Sequence, residues 1–450
     1  VRRQRQMCIR DRSIMTTNEI REIEKGYLIP CSELLLKRRG TANWQVWHNS
    51  GLIALGVALQ NDSIINVAIN DPECGYHAQM ERYVMNDGWW GEGSPTYHYY
   101  PLRAMLLSAD AVRCRNINLY DRKLYKMLAA PASGVYADLY FPAHNDGWYG
   151  ESLIAQVSLY EIAYQRYNKD PFFLSVLQQC YRYTDRNFGE ALQNNIEIPQ
   201  VTAMAAWPSI HFKETGYAVL RSGTKTVVMK YGPHGGGHGH PDKLSISIHD
   251  GEKEIVSDMG TCAYGVPAFT KWYRKTLSHS TLTVDAKDQK ESTGKLLAFK
   301  AYKDGGEVSA EAPDAYSGIT MERKLILKKN KLTDILTARS DEQHLYDYVL
   351  MLTEKPVFSQ TGEVIILNDS PSYNYIKNAI VRKQSSPLNC KIGKAYMKIE
   401  VSEGQEFEVI TGEAPGIPPG NGSVLSKYDS PFCYPLIVLS LIHISEPTRQ

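Results

Sequence analysis

The chain has 450 residues, of which 43% are hydrophobic and 22% are charged, and these ordinary values exclude a mainly disordered protein and leave room for two or three domains. Lys and Arg total 50 against 49 Asp and Glu, so the net charge of +1 provides no global basic surface for nucleic acid or an anionic membrane. No apolar run reaches the roughly 18 residues of a membrane span. From the charge balance and this absence together, we expect neither nucleic acid nor a membrane as a partner.

The two ends of the chain show no periodic pattern and resemble translated sequencing-adapter sequence. They read VRRQRQMCIRDR at the start and SLIHISEPTRQ at the end. We therefore predict a non-native leader over residues 1–12 and a non-native tail over residues 440–450. The true N-terminus is then expected to be missing, and a missing signal peptide is no evidence about the compartment.

Residues 13–205 have the period of α-helices. The segment NWQVWHNSGLIALGVAL predicts one helix with a shared face that carries Trp44, Trp47, His48, Gly51, Leu52 and Leu55. PLRAMLLSADAVR and ESLIAQVSLYEIAYQRY predict further helices. NDGWWGEGS at 86–94 recurs as NDGWYGESL at 145–153, which predicts repeated helix–loop units set side by side, as in a solenoid or a toroid. Chance similarity of two glycine-rich loops is the alternative.

Residues 206–439 have the period of β-strands. KLSISIHDG alternates Leu244, Ile246 and Ile248 with polar residues. RKLILKKNKLTDILTARS predicts two strands around a Lys-Asn turn, and MKIEVSEGQEFEVITGE predicts another pair around Glu403-Gly404. Many short strands between turns predict an antiparallel β-sandwich, so we expect a multidomain α + β chain with a ligand cleft between its two halves.

Two residue types narrow the function. The 29 Tyr and 7 Trp residues outnumber the 10 Phe, and rings with a polar group suit hydrated ligands such as sugars, although ordinary packing is an equal alternative. The eight Cys residues are scattered without a CxxC pair, which predicts isolated buried thiols.

Histidines concentrate between residues 234 and 279, where five of the 12 lie. In GPHGGGHGHPDKLSI, an extended segment would direct His238 and His240 to the same side. His240, Asp258 in SDMGT and His279 in LSHST form a plausible ligand set for Zn²⁺, which binds His and carboxylate donors. A hydrogen-bonded polar core without metal is the alternative.

A second group of candidates lies in the helical half. His48 shares the predicted helix face with Trp44, where an interhelical hydrogen bond is the alternative to a functional role. Tyr97 follows Pro95 at a predicted helix start, where a phenol can reach a cleft, although half-buried packing is the more usual role of Tyr.

These motifs resemble those of the heparinase II/III-type polysaccharide lyases. The resemblance rests on GPHGGGHGHPDKLSISIHDGEKEIVSDMGTCAYG, WYRKTLSHSTLTVDAKDQ, NWQVWHN and DGWWGEGSPTYHYY, and it is nearest to the oligoalginate and heparinoid exolyase branch. It implies an incomplete (α/α) toroid, truncated at its N-terminus, followed by an antiparallel β-sandwich domain. It also implies a bacterial periplasmic or secreted protein.

The resemblance implies a role for each candidate residue. His48, Tyr97 and His238 match catalytic positions, with Tyr97 as the acid toward the leaving oxygen. His240, Asp258 and His279 match ligands of a structural Zn²⁺. The candidates for sugar contacts are Asn49, Tyr264, Tyr273 and Arg274.

The expected activity is β-elimination on uronate-containing glycans, with oligoalginate favoured over glycosaminoglycans. A base takes the proton from carbon 5 of the uronate, and an acid protonates the oxygen that leaves carbon 4. The alternatives are a zinc-dependent hydrolase, which needs an open metal position, and a non-catalytic glycan-binding protein. The oligomeric state is left open by the sequence.

Overall fold

The computed structural model describes residues 15–186, 207–402, 405–416 and 432–441. These residues divide into two compact units. The first unit holds the described residues of 1–91, 97–132 and 156–201, and the second holds 92–96, 133–155 and the described residues from 207 onward. Two short segments of the predicted helical half therefore belong with the strands, which differs from the single boundary predicted at residue 205.

The helical period of the first half is confirmed by nine α-helices within the described residues. They are α1 (Thr17–Ile23), α2 (Ile29–Lys37), α3 (Ala42–Ala58), α4 (Asp62–Asn70), α5 (Tyr76–Tyr83), α6 (Pro95–Ala111), α7 (Arg122–Gly134), α8 (Val157–Arg166) and α9 (Pro171–Cys180). α3 packs against α2, α4 and α5, and α8 packs against α9. Within α2–α5 and within α8–α9, helices that are close in sequence therefore pack together.

The prediction that α3 buries the face carrying Trp44 is wrong. Trp44 is 70% exposed, whereas the polar residues Asn43, Gln45 and Asn49 are buried. The Asn49 side-chain oxygen accepts hydrogen bonds from Arg39 Nη1 at 2.9 Å and Gln45 Nε2 at 2.8 Å. Buried polar groups are tolerated when they are hydrogen-bonded, so apolar periodicity alone could not identify this face.

The second half consists of β-strands, and all of their pairings are antiparallel, as predicted. The first six strands are β1 (Ile210–Phe212), β2 (Tyr217–Ser222), β3 (Lys225–Lys230), β4 (Ser245–His249), β5 (Glu254–Val256) and β6 (Leu282–Val284). Those that follow are β7 (Lys295–Tyr302), β8 (Gly305–Tyr316), β9 (Ile319–Lys328), β10 (Lys331–Ser340), β11 (Leu345–Leu352), β12 (Val357–Phe358), β13 (Glu363–Ile365), β14 (Lys377–Gln384), β15 (Leu388–Ile392), β16 (Ala395–Ile399), β17 (Phe407–Pro415) and β18 (Phe432–Leu441).

The strands form three sheets. The largest has the order β1-β2-β3-β4-β5-β11-β18-β17-β14-β13, with β6 also paired to β11. A second sheet has the order β10-β9-β8-β7, and a third has the order β12-β15-β16.

Side chains of the large sheet are buried on both of its faces. Leu350 and Leu352 of β11 belong to a core shared with β8 and β9 of the second sheet. Val349 and Met351, which point the opposite way, pack with Met259, Trp272 and other residues of the segment between β5 and β6. This second layer positions that segment, which includes Asp258 and His279, against the sheet.

Of the two predicted hairpins, the first is confirmed and the second is wrong. β9 and β10 pair around Lys329 and Asn330, which have φ angles of +47° and +65°, as a two-residue hairpin turn requires. β16 and β17 do not pair, because β16 joins β15 while β17 joins β14 and β18. The predicted turn at Glu403-Gly404 lies outside the described residues.

Other predictions concern the termini and the thiols. β18 continues through Leu441, two residues into the predicted tail, and the predicted leader lies outside the described residues. The seven cysteines that the structure describes are all unpaired, and five of them are buried, as predicted. Among the described helices, none combines the length and the apolar character that a membrane crossing needs.

Candidate active site

The loop that follows α7 carries the second copy of the repeated motif, Asn145 to Gly150, and belongs to the β-unit. Asn145 has a φ angle of +57°, a left-handed conformation that Asn tolerates better than most residues. Its side-chain nitrogen donates to the backbone oxygens of Glu92 at 3.2 Å and Gly93 at 2.9 Å. These bonds fix the start of the loop and direct the next residue, Asp146, toward the histidine-rich segment.

The part of the histidine-rich segment that lies between β3 and β4 is folded closely on itself. Gly235 has a φ angle of +92°, and a Cβ atom there would lie 2.8 Å from Asn145 Nδ2. A Cβ atom on Gly239 would lie only 1.9 Å from the backbone oxygen of His234. Gly235 and Gly239 of the GGGHGH motif therefore allow a close approach that a larger residue would block.

Asp146 joins the two histidines of the HGH motif. His238 Nδ1 lies 2.9 Å from Asp146 Oδ2, and His240 Nε2 lies 3.0 Å from Asp146 Oδ1. Burial opposes ionisation of Asp146, but the hydrogen bonds from both histidines outweigh it and hold the pKa of the carboxyl well below its usual range. The carboxylate is therefore an acceptor, and both ring nitrogens must donate to it.

The two histidines differ in exposure. The His238 side chain is 26% exposed, whereas the His240 side chain is fully buried. His238 lies in a 3-10 turn, so the extended segment assumed for the HGH motif is wrong. The two rings, for which the resemblance implies different roles, also differ in exposure.

A buried cluster of possible metal ligands lies next to His240. His240 Nδ1 is 3.3 Å from His279 Nε2, and His279 Nδ1 is 3.3 Å from Asp258 Oδ2. Among the described residues, ligand atoms of Asp242, Asp258 and His279 lie within 4.8 Å of one another. The structure thus groups two of the predicted ligands, Asp258 and His279, with Asp242, which the sequence analysis missed, while the third, His240, borders this group through His279.

The positions of the protons in this cluster fit a bound cation. Because His240 donates from Nε2 and burial lowers its pKa to about 4, its Nδ1 carries a lone pair, which lies 3.3 Å from His279 Nε2. Burial opposes ionisation of His279, but the charge of Asp258 outweighs it and raises the pKa of the ring. A neutral His279 donates from only one ring nitrogen, so its other nitrogen turns a lone pair toward His240 Nδ1 or Asp258 Oδ2. A metal ion or a second proton on His279 removes this repulsion.

Buried lysines accompany the cluster. Lys230 Nζ donates to both oxygens of Asp242, at 2.8 and 2.6 Å, and also to Asn145 Oδ1. Burial opposes ionisation of Asp242, but the charges of Lys230 and Lys243 hold the pKa of its carboxyl far below the usual range. Because Lys230 already neutralises Asp242, this carboxylate is a weaker candidate ligand than Asp258.

The comparisons with known proteins bear on this region of the chain. Residues 204–352, which include the whole histidine-rich segment, match the family described as heparinase II/III-like, C-terminal. This region is therefore similar to heparinase II/III-like domains.

Curated relatives match this chain over more than the heparinase II/III-like region. An alginate lyase from Stenotrophomonas maltophilia is 26% identical in an alignment of 391 positions that covers 75% of this chain and 52% of the relative. An exo-oligoalginate lyase from Saccharophagus degradans is 24% identical over the same shares. The chain therefore spans about half the length of the curated relatives that it matches.

A solved structure shows the same fold. The crystal structure of heparan sulfate lyase HepC from Pedobacter heparinus aligns with a TM-score of 0.62 at 16% identity. The alignment covers 91% of this chain and 59% of that one.

The remaining candidates in the heparinase II/III-like region have different surroundings. Tyr264 is 50% exposed, and its hydroxyl lies 3.3 Å from Asp146 Oδ2 and 3.4 Å from His238 Nδ1. Arg274 Nη2 donates to the backbone oxygen of Gly239 at 2.8 Å and so braces the HGH segment. Tyr273 is only 5% exposed and donates to the backbone oxygen of Gly416, a position that does not favour its predicted sugar contact.

Three predicted residues lie in the helical unit. His48 Nδ1 lies 3.2 Å from the backbone oxygen of Arg38. Asn49 is 1% exposed and also donates to the backbone oxygen of Cys74, so its surroundings do not favour a sugar contact. Tyr97 is half-buried in the first turn of α6.

Sequence reasoning missed several residues of the cluster, chiefly Asp146, Asn145, His144 and Lys230. His144 is buried, neither of its ring nitrogens has a hydrogen-bond partner among the described residues, and burial lowers its pKa to about 4. A signal was available, because His144, Asn145 and Asp146 lie in or beside the second copy of the NDGW motif. We interpreted that motif as a repeat of architecture, whereas its second copy carries site residues.

Proposed function

We propose that this chain is part of a polysaccharide lyase that cleaves uronate-containing glycans by β-elimination. The observation that carries the proposal is the accessible His238, whose ring is held by Asp146 through Nδ1, which places the ring proton on Nδ1 and the lone pair on Nε2. The lyase names of the relatives, alginate lyase and exo-oligoalginate lyase, support the same chemistry. The proposal includes an incomplete (α/α) toroid and a bacterial periplasmic or secreted location.

The proposed reaction is a proton abstraction followed by loss of a leaving group. His238 Nε2 takes the proton from carbon 5 of the uronate, and the electron pair of that bond forms the double bond between carbons 4 and 5. The bond from carbon 4 to the glycosidic oxygen breaks, and the oxygen takes a proton from Tyr97. The roles of His48 and Tyr97 follow from the resemblance and remain predictions.

A structural Zn²⁺ is part of the proposal. His240, Asp258 and His279 would hold it, and the buried lone pairs of Asp258 and His279 support this assignment. The ion would supply positive charge that fixes the buried ends of the HGH and LSHST segments. The ligand residues are at most 3% exposed, which favours a structural ion over the open catalytic zinc of a hydrolase.

The experiment is a substrate panel read by ultraviolet absorbance. The protein is incubated with alginate, oligoalginate, heparin, heparan sulfate, chondroitin sulfate and hyaluronan. A lyase product carries a conjugated double bond and absorbs, whereas a hydrolase product does not. We expect absorbance to rise with oligoalginate more than with the sulfated glycans.

The matched variants are His238→Ala and His344→Ala. His344 also pairs with a carboxylate, Asp285, at 2.9 Å, but it lies outside the histidine cluster. We expect His238→Ala to abolish the absorbance change and His344→Ala to preserve it. Cleavage to reducing sugar without absorbance would replace the proposal by hydrolysis, and binding without any cleavage would replace it by glycan recognition.

A further inference from the structure

We propose that Asp146 is a positioning residue that determines which ring nitrogen of His238 carries the proton. This inference rests on the proposed lyase function, and it deepens that function by naming the group that makes His238 a base at Nε2. Asp146 acts through His238 and is not assigned a contact with substrate.

The NDGWYG loop holds the HGH segment at four points. The backbone N–H of Asp146 donates to the backbone oxygen of His238 at 3.1 Å, and the backbone N–H of His240 donates to Asn145 Oδ1 at 3.2 Å. The two carboxylate bonds of Asp146, to His238 Nδ1 and His240 Nε2, complete the set. Both the backbone and the rings of the HGH segment are therefore fixed relative to one carboxylate.

The carboxylate constrains the protons as well as the geometry. Asp146 is 1% exposed, so water does not compete for its oxygens. Each oxygen faces one ring nitrogen, and a carboxylate can only accept hydrogen bonds. His238 must therefore keep its proton on Nδ1, which leaves the lone pair on Nε2, and His240 must keep its proton on Nε2.

No other side chain of similar size can impose both the Nδ1–H tautomer of His238 and the Nε2–H tautomer of His240. Asn has one amide oxygen and one NH₂ group, so it can accept from one histidine only and must donate toward the other. Ala removes both acceptors. In other enzymes, an acid that orients a catalytic histidine contributes on the order of 10⁴-fold through this choice of tautomer.

The test compares the parent with Asp146→Ala and Asp146→Asn. The ¹⁵N chemical shifts of the His238 ring report which nitrogen carries the proton, and kcat and KM are measured on the best substrate of the panel. We expect the Nδ1–H tautomer in the parent. A variant that loses this tautomer should lose about 10²–10⁴-fold in kcat with little change in KM, while a folded variant that keeps it should stay within about tenfold.

The matched control is Asp138→Asn. Asp138 is also a buried carboxylate of the β-unit, and its Oδ2 lies 3.0 Å from Nε2 of a buried histidine, His249. This change disturbs a comparable pair without touching His238, so we expect it to lower stability and leave kcat within a few-fold. It separates an effect on the base from a general loss of packing.

Three results would overturn the inference. They are an Nε2–H tautomer of His238 in the parent, loss of kcat in a folded Asp146 variant that keeps the Nδ1–H tautomer, and normal kcat in a variant that has lost it. The ring shifts need no substrate, so this part of the test stands when activity is absent. A parent that is inactive on every glycan of the panel would instead count against the proposed function.

Discussion

At the scale of single residues, Tyr97 and Tyr99 lie two positions apart in the first turns of α6 but have different surroundings. Tyr97 is half-buried, whereas Tyr99 is 2% exposed and its hydroxyl lies 2.8 Å from that of Tyr160. The change Tyr97→Phe removes one oxygen and keeps the ring. We expect kcat to fall by at least about 10²-fold with little change in KM, because a general acid acts mainly in the transition state.

The control for this change is Tyr99→Phe. It removes a hydroxyl whose partner lies inside the helical unit, so we expect a loss of about 1 kcal/mol in unfolding free energy and normal turnover. If Tyr97→Phe keeps turnover within a few-fold, the role of the acid moves to Tyr264. That residue is the remaining tyrosine candidate with an exposed ring, since Tyr99 and Tyr273 are buried.

Glu254 gives the β-unit a pH-dependent contribution to stability. The side chain is buried and accepts from Tyr136 at 2.5 Å, from Ser257 at 2.8 Å and from Tyr149. Burial raises the pKa of its carboxyl from 4.5 to about 7, although the three hydroxyl donors oppose that effect. The folded state therefore holds this proton more tightly than the unfolded state does.

The sign of the pH effect follows from that difference. The contribution of Glu254 is fully present below pH 4.5 and is lost as the pH rises through about 7, to a total of about 3 kcal/mol at most. We expect the unfolding free energy of the parent, minus that of Glu254→Gln, to fall between pH 4.5 and 8. Chemical denaturation at several pH values measures it, and a flat difference curve would contradict the assignment.

At the scale of elements, Arg323 of β9 connects two sheets. Its guanidinium is fully buried and donates to Asp334 on β10, at 2.9 and 2.5 Å. It also donates to the backbone oxygens of Leu244 at 2.8 Å and Ser280 at 2.6 Å, which precede strands of the large sheet. Arg323→Ala removes the cation that pairs with Asp334, which then keeps the Tyr348 hydroxyl at 2.6 Å as its donor, so we expect a loss of about 3–5 kcal/mol in unfolding free energy.

Arg339 on the neighbouring strand provides the comparison. Its side chain is 69% exposed, and its nearest pairing is with Glu322 at 3.8 Å. Exposed ion pairs contribute about 0–1 kcal/mol, so Arg339→Ala should unfold at nearly the same denaturant concentration as the parent. Equal losses for the two variants would show that the buried network does not connect the sheets energetically.

Local patterns predicted elements better than they predicted pairings. The turn at Lys329 and Asn330 was predictable because its strands are adjacent in sequence and their register is set by the turn. The pairing of β17 with β14 was not, because β15 and β16 lie between these two strands in the sequence. Similarly, His238, His240, Asp258 and His279 were found from one short segment, whereas Asp146 lies 92 residues from its partner His238.

At the scale of the molecule, the proposed metal ion should govern stability. Asp258→Ala removes one proposed ligand, so we expect metal content and melting temperature to fall together, the latter by at least about 5 °C. A chelator should lower the melting temperature of the parent but not that of the variant. Purified, folded protein that contains no metal would contradict this prediction.

The control for the metal is Asp347→Ala. Asp347 is a buried carboxylate on β11 that accepts from Tyr373, and burial raises its pKa to about 6. Loss of this side chain should lower the melting temperature while the metal content stays the same. The pair of variants thus distinguishes loss of a ligand from loss of any buried carboxylate.

The inclusion of residues 133–155 in the β-unit has a consequence for protein synthesis. Asp146 leaves the ribosome 133 residues before His279, the last member of the cluster. At roughly 5–20 residues per second, the NDGWYG loop then waits for about 7–27 s before every partner has been translated. Closing so long a loop also costs chain entropy, so we expect the histidine cluster to assemble late, after the helices that precede it have formed.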